Sequence, residues 1–221
     1  WDSLFKMPHA VKISPYDPDR SVWIVDRDNS QVFKFSHDGK KLLMTLGEKG
    51  VYAADEKHFG RPADIAFLRD GSFYVADGYA NRRVVKFDKD GRFLFAWGSE
   101  GSGPGQFNGQ VHDVAIDPQG RVFVGDRGND RVQIFDASGK YLDQWPNIRG
   151  PSYLHITKNG DVWVVSGRGN RLAKYDLHGK LLTYWGIYSM DPGGFDDPLL
   201  CRRYRFGRQF DPKIAARNHD G

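Results

Sequence analysis

Residues 60–98 read GRPADIAFLRDGSFYVADGYANRRVVKFDKDGRFLFAWG, and this stretch decides the fold. It contains a short apolar strand, an Asp-Gly turn, a second apolar strand ending in Asp77, a turn holding an asparagine, and two further strands joined at an Asp-Gly-Arg hairpin. The same order returns in residues 7–47, 109–145 and 150–186. A repeat of about 40–50 residues built only from strands and turns is typical of a propeller blade. The sequence therefore predicts an all-β propeller.

Each blade is predicted to hold four strands, because apolar runs alternate with turns rich in Asp, Asn and Gly. The tryptophans that end three of the fourth strands are expected to pack as apolar plugs between blades. The second strands are predicted at Ser21–Asp26, Ser72–Asp77, Arg121–Asp126 and Asp161–Ser166, the third at Gln31–Phe35, Arg83–Phe87, Arg131–Phe135 and Arg171–Tyr175, and the fourth at Lys41–Leu46, Phe93–Trp97, Tyr141–Trp145 and Leu181–Trp185.

The repeat stops near the end of the chain. A fifth unit begins at Pro192–Phe195, after which the strand alternation and the turn residues disappear. We therefore assign residues 1–195 to the propeller and residues 196–221 to an irregular, basic tail. Three arrangements remain open: a ring of four or five blades, a ring completed by another chain, or a piece of a larger propeller. Open blade edges expose unpaired backbone groups, which predicts self-association or a protein partner.

Composition narrows the classes of function. The chain has 221 residues, a net charge of +4 and a single cysteine, so an internal disulfide is excluded. The sequence contains no apolar run of about 18 residues, so it predicts no membrane span. Basic residues mostly alternate with Asp in hairpins and are not expected to concentrate in the turns at the blade ends, so nucleic acid is an unlikely partner. The chain begins at Trp1 without an apolar leader. Either a signal peptide has been removed, which predicts an extracellular or periplasmic protein, or the chain is a fragment.

Two histidines share one position in the repeat. First strands line the central channel of a propeller, so His9 and His112, which lie two blades apart in equivalent positions, are expected to converge there. Imidazoles suit zinc, which takes three or four protein ligands. A zinc site and a pair of hydrogen-bonded channel histidines are both open interpretations. His155 lies three positions beyond Ser152, the residue of this column in the fourth repeat, and is expected to point elsewhere.

Several segments are more specific than a generic repeat. They are MPHAV at 7–11, HFGRPAD at 58–64, DGYANRRVVKF at 77–87, PGQF at 104–107, VH at 111–112 and DRGNDRVQ at 126–133. Together they resemble the NHL-repeat propellers, and more closely the peptidyl-α-hydroxyglycine α-amidating lyases and their bacterial relatives. The similarity extends from about Ser3 to Phe195, and its most specific part is the Asp-Gly-Tyr-x-Asn-x-Arg stretch that starts at Asp77.

The resemblance implies a six-bladed propeller with a channel zinc held by three histidines. Such an enzyme splits a peptidyl-α-hydroxyglycine into a peptide amide and glyoxylate. His9 and His112 match two metal ligands, Tyr79 matches the tyrosine that takes the substrate hydroxyl proton, and Arg127 matches an active-site arginine able to clasp a carboxylate. The resemblance also implies calcium as a second cofactor, and a peptide or small-molecule ligand in the channel.

Two parts of the family pattern are missing from the sequence. No histidine follows Pro192–Phe195 in the stretch through Cys201, where the third zinc ligand is expected. The second catalytic arginine is expected from a blade before the first one. We therefore expect weak zinc binding and little glyoxylate release by the 221-residue chain alone. The alternative is a non-catalytic propeller scaffold that binds a protein or small ligand on its loop face.

Overall fold

The computed structural model describes residues 3–186, which form four antiparallel four-stranded sheets and one small parallel strand pair. No helix occurs among these residues, so none of them forms a helix able to cross a membrane. The prediction of an all-β protein with four antiparallel blades is confirmed. The predicted tail at 196–221 and the fifth unit that begins at Pro192 lie outside the described residues.

The strands follow one another in space as they do along the chain. Within each blade the order is first, second, third, fourth, with every pair antiparallel. The strands are β1 Pro8–Ile13, β2 Val22–Asp26, β3 Gln31–Phe35 and β4 Leu42–Leu46 in the first blade; β5 Asp64–Phe67, β6 Phe73–Asp77, β7 Arg83–Phe87 and β8 Phe93–Trp97 in the second; the pair β9 Ser99–Glu100 and β10 Gln106–Phe107; β11 Val111–Ile116, β12 Val122–Asp126, β13 Arg131–Phe135 and β14 Tyr141–Trp145 in the third; and β15 Pro151–Ile156, β16 Val162–Ser166, β17 Arg171–Tyr175 and β18 Leu181–Trp185 in the fourth.

Burial explains why the strand patterns differ across a blade. The second strands β6 and β12 are buried at every residue, because both of their faces pack against other blades or strands. Such strands read as continuous apolar runs. The fourth strands β4 and β8 contain only exposed and half-buried residues, because they lie at the rim. All four third strands match their predicted bounds, whereas the second strands begin one residue later than predicted.

The first strands lie side by side around the channel. β1 contacts β5, β5 contacts β11, and β11 contacts β15. Consecutive blades are also joined by carboxylates on these strands: Asp64 accepts from the backbone N–H of Val114 at 3.2 Å, and Asp113 accepts from that of Leu154 at 3.1 Å. This arrangement brings the starts of the first strands to the same end of the channel, which is where the predicted site residues lie.

Aromatic side chains fill the space between blades. Trp97 of the second blade lies 5.5 Å from Phe135 of the third, and Trp145 of the third stacks 5.7 Å from Tyr175 of the fourth, as centroid distances. Both tryptophans therefore act as the predicted plugs. Trp185 differs, because it stacks on Trp163 of its own blade at 5.3 Å. No following blade is present within residues 3–186 for Trp185 to pack against.

A buried aspartate ends the second strand in the first three blades. Asp77 accepts from the backbone N–H of Gly60 at 2.7 Å, from the Asn81 amide at 2.7 Å and from Nε of Arg83 at 2.8 Å. Asp126 makes the same set of contacts in the third blade with the residues at equivalent positions, Asn108, Asn129 and Arg131. Each aspartate thus ties the turn after the second strand to the segment that enters the blade.

Candidate functional site

Bulges in the inner strands present the two channel histidines. The pairing of β1 with β2 shifts register between Pro8 and Ala10, and that of β11 with β12 shifts between Val111 and Val114. The extra residue in a bulge is released from the ladder, and its side chain is re-aimed. His9 and His112 lie in these bulges. Their ring centroids are 5.0 Å apart, and His112 is only 2% exposed.

Tyr79 lies between the two histidines. Its hydroxyl oxygen is 3.1 Å from Nε2 of His9 and 3.0 Å from Nε2 of His112. The turn from Asp77 to Asn81 places it there, with the backbone N–H of Tyr79 donating to the carbonyl of Arg61 at 3.2 Å. Three blades therefore each contribute one side chain to a single cluster, since Tyr79 comes from the second blade and the histidines from the first and third.

The tautomer of His9 follows from its second hydrogen bond. Nδ1 of His9 lies 2.7 Å from the carbonyl oxygen of Ala63, which only accepts, so Nδ1 carries the proton. In the neutral imidazole Nε2 is then an acceptor, and the Tyr79 hydroxyl donates to it. A carbonyl bonded to Nδ1 is also the usual outer partner of a histidine that binds metal through Nε2.

These two histidines fit zinc as a partial ligand set. The carbonyl of Ala63 leaves Nε2 of His9 unprotonated, and Nε2 of His112 faces the same hydroxyl. Within residues 3–186 no group of three or more His, Cys, Asp and Glu side chains is arranged to hold a metal ion. A structural zinc site normally has four protein ligands and a catalytic one has three. The described chain supplies two of them.

Arg127 follows the second strand of the third blade. Its backbone N–H donates to the carbonyl of Gln110 at 3.0 Å, and its own carbonyl accepts from Arg168 at 2.7 Å. No described hydrogen bond, ion pair or ring contact joins its guanidinium to Tyr79 or to either channel histidine. Tyr79, His9 and His112 are therefore brought together, whereas Arg127 stands on the same face without direct contact.

The prediction overlooked an arginine pair beside Tyr79. Cζ of Arg27 lies 4.8 Å from the Tyr79 ring centroid, and Cζ of Arg61 lies 6.0 Å from it. Asp28 accepts from Nε and Nη2 of Arg27 at 2.8 and 3.3 Å, and from Nη2 of Arg61 at 2.6 Å. The hydrogen bond from Arg27, and next that from Arg61, lowers the pKa of Asp28 to about 2. The hydrogen bond to Asp28 raises the pKa of Arg27.

Each blade carries one arginine in or beside the turn that follows its second strand. Three of them have local partners: Arg27 donates to Asp28, Arg82 to the carbonyls of Ala80 and Asn81, and Arg168 to Asp130 and the carbonyl of Arg127. The turn arginines are Arg27, Arg82, Arg127 and Arg168.

A second group of ionisable side chains, Lys12, Asp64 and His155, lies further along the first strands. Lys12 donates to Asp64 at 2.6 Å, and Asp64 is fully buried. His155 occupies the repeat position of Lys12, and burial together with the nearby Lys12 charge lowers the pKa of His155. His155 therefore belongs with Lys12 rather than with the channel histidines, as its phase in the repeat indicates.

Comparison with known proteins supports the repeat architecture. A family described as a 6-bladed beta-propeller matches residues 53–145. NHL repeat-containing protein 3 of Homo sapiens is 34% identical over 178 residues, which cover 75% of this chain and 51% of the relative. A probable peptidyl-alpha-hydroxyglycine alpha-amidating lyase of Caenorhabditis elegans is 38% identical over 164 residues, which cover 73% and 45%. The chain thus spans about half the length of these two relatives.

Solved structures agree on the fold. Virginiamycin B lyase from Staphylococcus aureus superposes with a TM-score of 0.60 at 15% identity, and the match covers 83% of this chain and 57% of that one. A chain of the nidogen/laminin complex gives 0.65 at 15% identity, with coverages of 82% and 64%. At these identities the likeness shows the fold alone. With its four repeated blades and these relatives, the chain belongs to the NHL-repeat β-propeller family.

Proposed function

We propose that this propeller is a zinc-dependent lyase that cleaves a peptidyl-α-hydroxyglycine into a peptide amide and glyoxylate. The observation that carries the proposal is the Tyr79 hydroxyl, 3.1 and 3.0 Å from Nε2 of two channel histidines contributed by two other blades. A phenol is thereby placed beside two imidazoles that suit zinc. Two relatives named as peptidyl-alpha-hydroxyglycine alpha-amidating lyases, 38% and 34% identical to this chain, support the same class of reaction.

His9 and His112 would hold the metal, with Ala63 fixing the proton of His9 on Nδ1. When bound, zinc supplies Lewis-acid polarisation of a substrate oxygen. The described chain contains two such ligands, so zinc is expected to bind weakly unless residues outside 3–186 or another chain complete the set. Calcium remains an expectation from the resemblance, and no described group of residues argues for its position.

The residues of this chain account for proton movement and orientation. Once its own proton has been lost to solvent, the Tyr79 oxygen, as a phenolate, accepts the proton of the substrate α-hydroxyl. The electrons of that O–H bond form the carbonyl of glyoxylate, and the carbon–nitrogen bond breaks. The proton held by Tyr79 then passes to the leaving amide nitrogen, so the phenolate is regenerated and atoms and charge balance. Arg27 over the ring attracts negative charge on the phenol oxygen. Arg127, whose guanidinium has no described partner, is free to clasp the substrate carboxylate in bidentate fashion.

The test is glyoxylate release from a short N-blocked peptidyl-α-hydroxyglycine, with and without added zinc. We expect slow, zinc-dependent release, because the ligand set is partial. Tyr79→Phe should lower turnover by about 100-fold or more, the usual contribution of a positioned acid or base. Tyr184→Phe is the matched control, because Tyr184 is 49% exposed at the rim. Release that is unaffected by Tyr79→Phe would overturn the proposed role.

The second candidate is a non-catalytic propeller that binds a peptide, protein or small ligand on its loop face. The observation that favours it is that the described residues supply only two of the zinc ligands. An NHL repeat-containing protein matches 75% of this chain at 34% identity, and a relative named as a lyase matches a similar share, 73%. A protein that folds but neither retains zinc nor releases glyoxylate would favour this alternative.

A further inference from the structure

The turn that follows the second strand places one residue of each blade in an equivalent position. In every blade, the backbone N–H at this position donates to the carbonyl of a residue on the first strand or just before it. That residue lies two positions before the one that occupies the repeat position of His9 and His112. The four bonds are Arg27 to Met7 at 3.0 Å, Tyr79 to Arg61 at 3.2 Å, Arg127 to Gln110 at 3.0 Å and Gly167 to Gly150 at 2.9 Å. The repeat therefore makes Arg27 the counterpart of Arg127, with Tyr79 between them in the second blade.

Arg27 is held firmly in that position. Asp28 accepts from Nε and Nη2 of Arg27, a two-point contact that fixes the plane of the guanidinium. The side chains of Arg27 and Asp28 are 19% and 23% exposed, so the pair is largely covered but reachable. Cζ of Arg27 lies 4.8 Å from the Tyr79 ring centroid, next to the hydroxyl shared by the two histidines.

The charges around Tyr79 do not balance. Arg27 and Arg61 share the single carboxylate of Asp28, so this cluster carries one excess positive charge. Arg127 adds another on the same face, and its guanidinium has no ion pair among the described residues. Like charges gathered at a channel mouth favour an anion between them.

We propose that Arg27 binds the terminal carboxylate of the ligand together with Arg127, and that Asp28 is the positioning residue for Arg27. This inference rests on the proposed function, because the hydroxyglycine end of that substrate carries the carboxylate. Arg27 has no counterpart among the residues carried over by the family resemblance. Arg27 supplies a second arginine from the first blade, whereas the resemblance implies a second arginine from a blade that precedes it.

Direct binding tests the inference without turnover. The probe is a short N-blocked peptide that ends in glycine, as the free acid and as the amide, titrated calorimetrically into the zinc-loaded protein. A charge-assisted contact is worth about 1.5–3 kcal/mol, so the wild type should bind the acid about ten- to a hundredfold more tightly than the amide. Arg27→Gln should remove most of that preference, and Arg27→Lys should restore part of it. Arg82→Gln removes the same charge from a neighbouring turn and should leave the preference intact.

The double change Arg27→Gln with Asp28→Asn guards against an unpaired Asp28 disturbing the fold, and it should lose as much of the preference for the acid as Arg27→Gln does. The inference is overturned if Arg27→Gln keeps the wild-type preference for the acid, or if the wild type shows none. Failure of the proposed function looks different. In that case glyoxylate is not released from the hydroxyglycine substrate, while the preference for the acid and its loss in Arg27→Gln persist.

Discussion

The hydroxyl of Tyr79 lies 3.0 Å from Nε2 of His112, so a turn of the second blade bonds directly to the inner strand of the third. His9 joins the same hydroxyl from the first blade. The site is therefore a property of how three blades pack. Any change that shifts one blade against the next should disturb the site even when no site residue is altered.

Zinc retention should depend on both channel histidines. His9→Ala or His112→Ala removes one of two imidazole ligands, and changes at outer partners alone cost about 10–100-fold in affinity. We therefore expect at least that loss for either substitution, measured by metal analysis after dialysis and by competition with a chelator. His155→Ala, which alters the group of ionisable side chains further along the first strands, should retain zinc. Equal zinc content in all four proteins would show that the metal binds elsewhere.

Gly78 should be intolerant of any side chain. A Cβ there would lie 2.2 Å from the carbonyl oxygen of Val111 and 2.4 Å from its nitrogen, both backbone atoms next to His112. Gly78→Ala must displace either the Tyr79 turn or the inner strand, so it should lower both the thermal midpoint and zinc affinity. Gly125→Ala is the control, because its nearest neighbour is 3.4 Å away and no positive φ is required. Similar melting temperatures for the two variants would contradict this reading of the turn.

Asp126 should contribute far more to the free energy of unfolding than a carboxylate on the rim. It is fully buried and accepts from Asn108, Asn129 and Arg131, so Asp126→Asn leaves the 6% exposed Arg131 without its counter-ion. Breaking such a buried pair costs about 3–5 kcal/mol in the free energy of unfolding. Asp143→Asn, on the exposed rim, should cost little. Urea unfolding of both variants measures the difference, and equal midpoints would refute it.

Acid should weaken the Arg27–Asp28–Arg61 cluster. The pKa of Asp28 is lowered to about 2 by the hydrogen bonds from Arg27 and then Arg61, and its ordinary value is 3.8. Because the folded value is the lower one, the stabilisation is fully present above about pH 4 and is lost as the pH falls through about 2. The thermal midpoint of the wild type should therefore exceed that of Asp28→Asn at pH 5, and the gap should close towards pH 2. A gap that stays constant over this range would rule out the titration of Asp28 as its cause.

Much of the fold was predictable because its determinants are local. The third strand Arg83–Phe87 and its three counterparts were placed correctly from turn residues and apolar runs, which act over a few neighbouring positions. The shared column of His9 and His112 followed from the repeat, since the first strands of a propeller surround one channel. These features need no knowledge of which side chain touches which.

The arginine pair beside Tyr79 could not be found in the same way. Arg27 follows Asp26 as Arg127 follows Asp126, and this equivalence was visible in the sequence. The second blade hides it, because the inserted Gly78 moves Tyr79 one position further from its aspartate. Only the backbone hydrogen bonds show that Tyr79 fills the same place as the two arginines.

By itself the sequence determined the blade repeat, the strand bounds and the histidine column, because propensities and turn chemistry are encoded within each 40–50-residue unit. The tertiary structure decided that the Tyr79 hydroxyl bonds both histidines and that Asp28 is shared by two arginines. These contacts join residues from different blades, or from a blade and the segment that leads into the next. Their geometry is set by packing between units rather than by the residues adjacent in the chain.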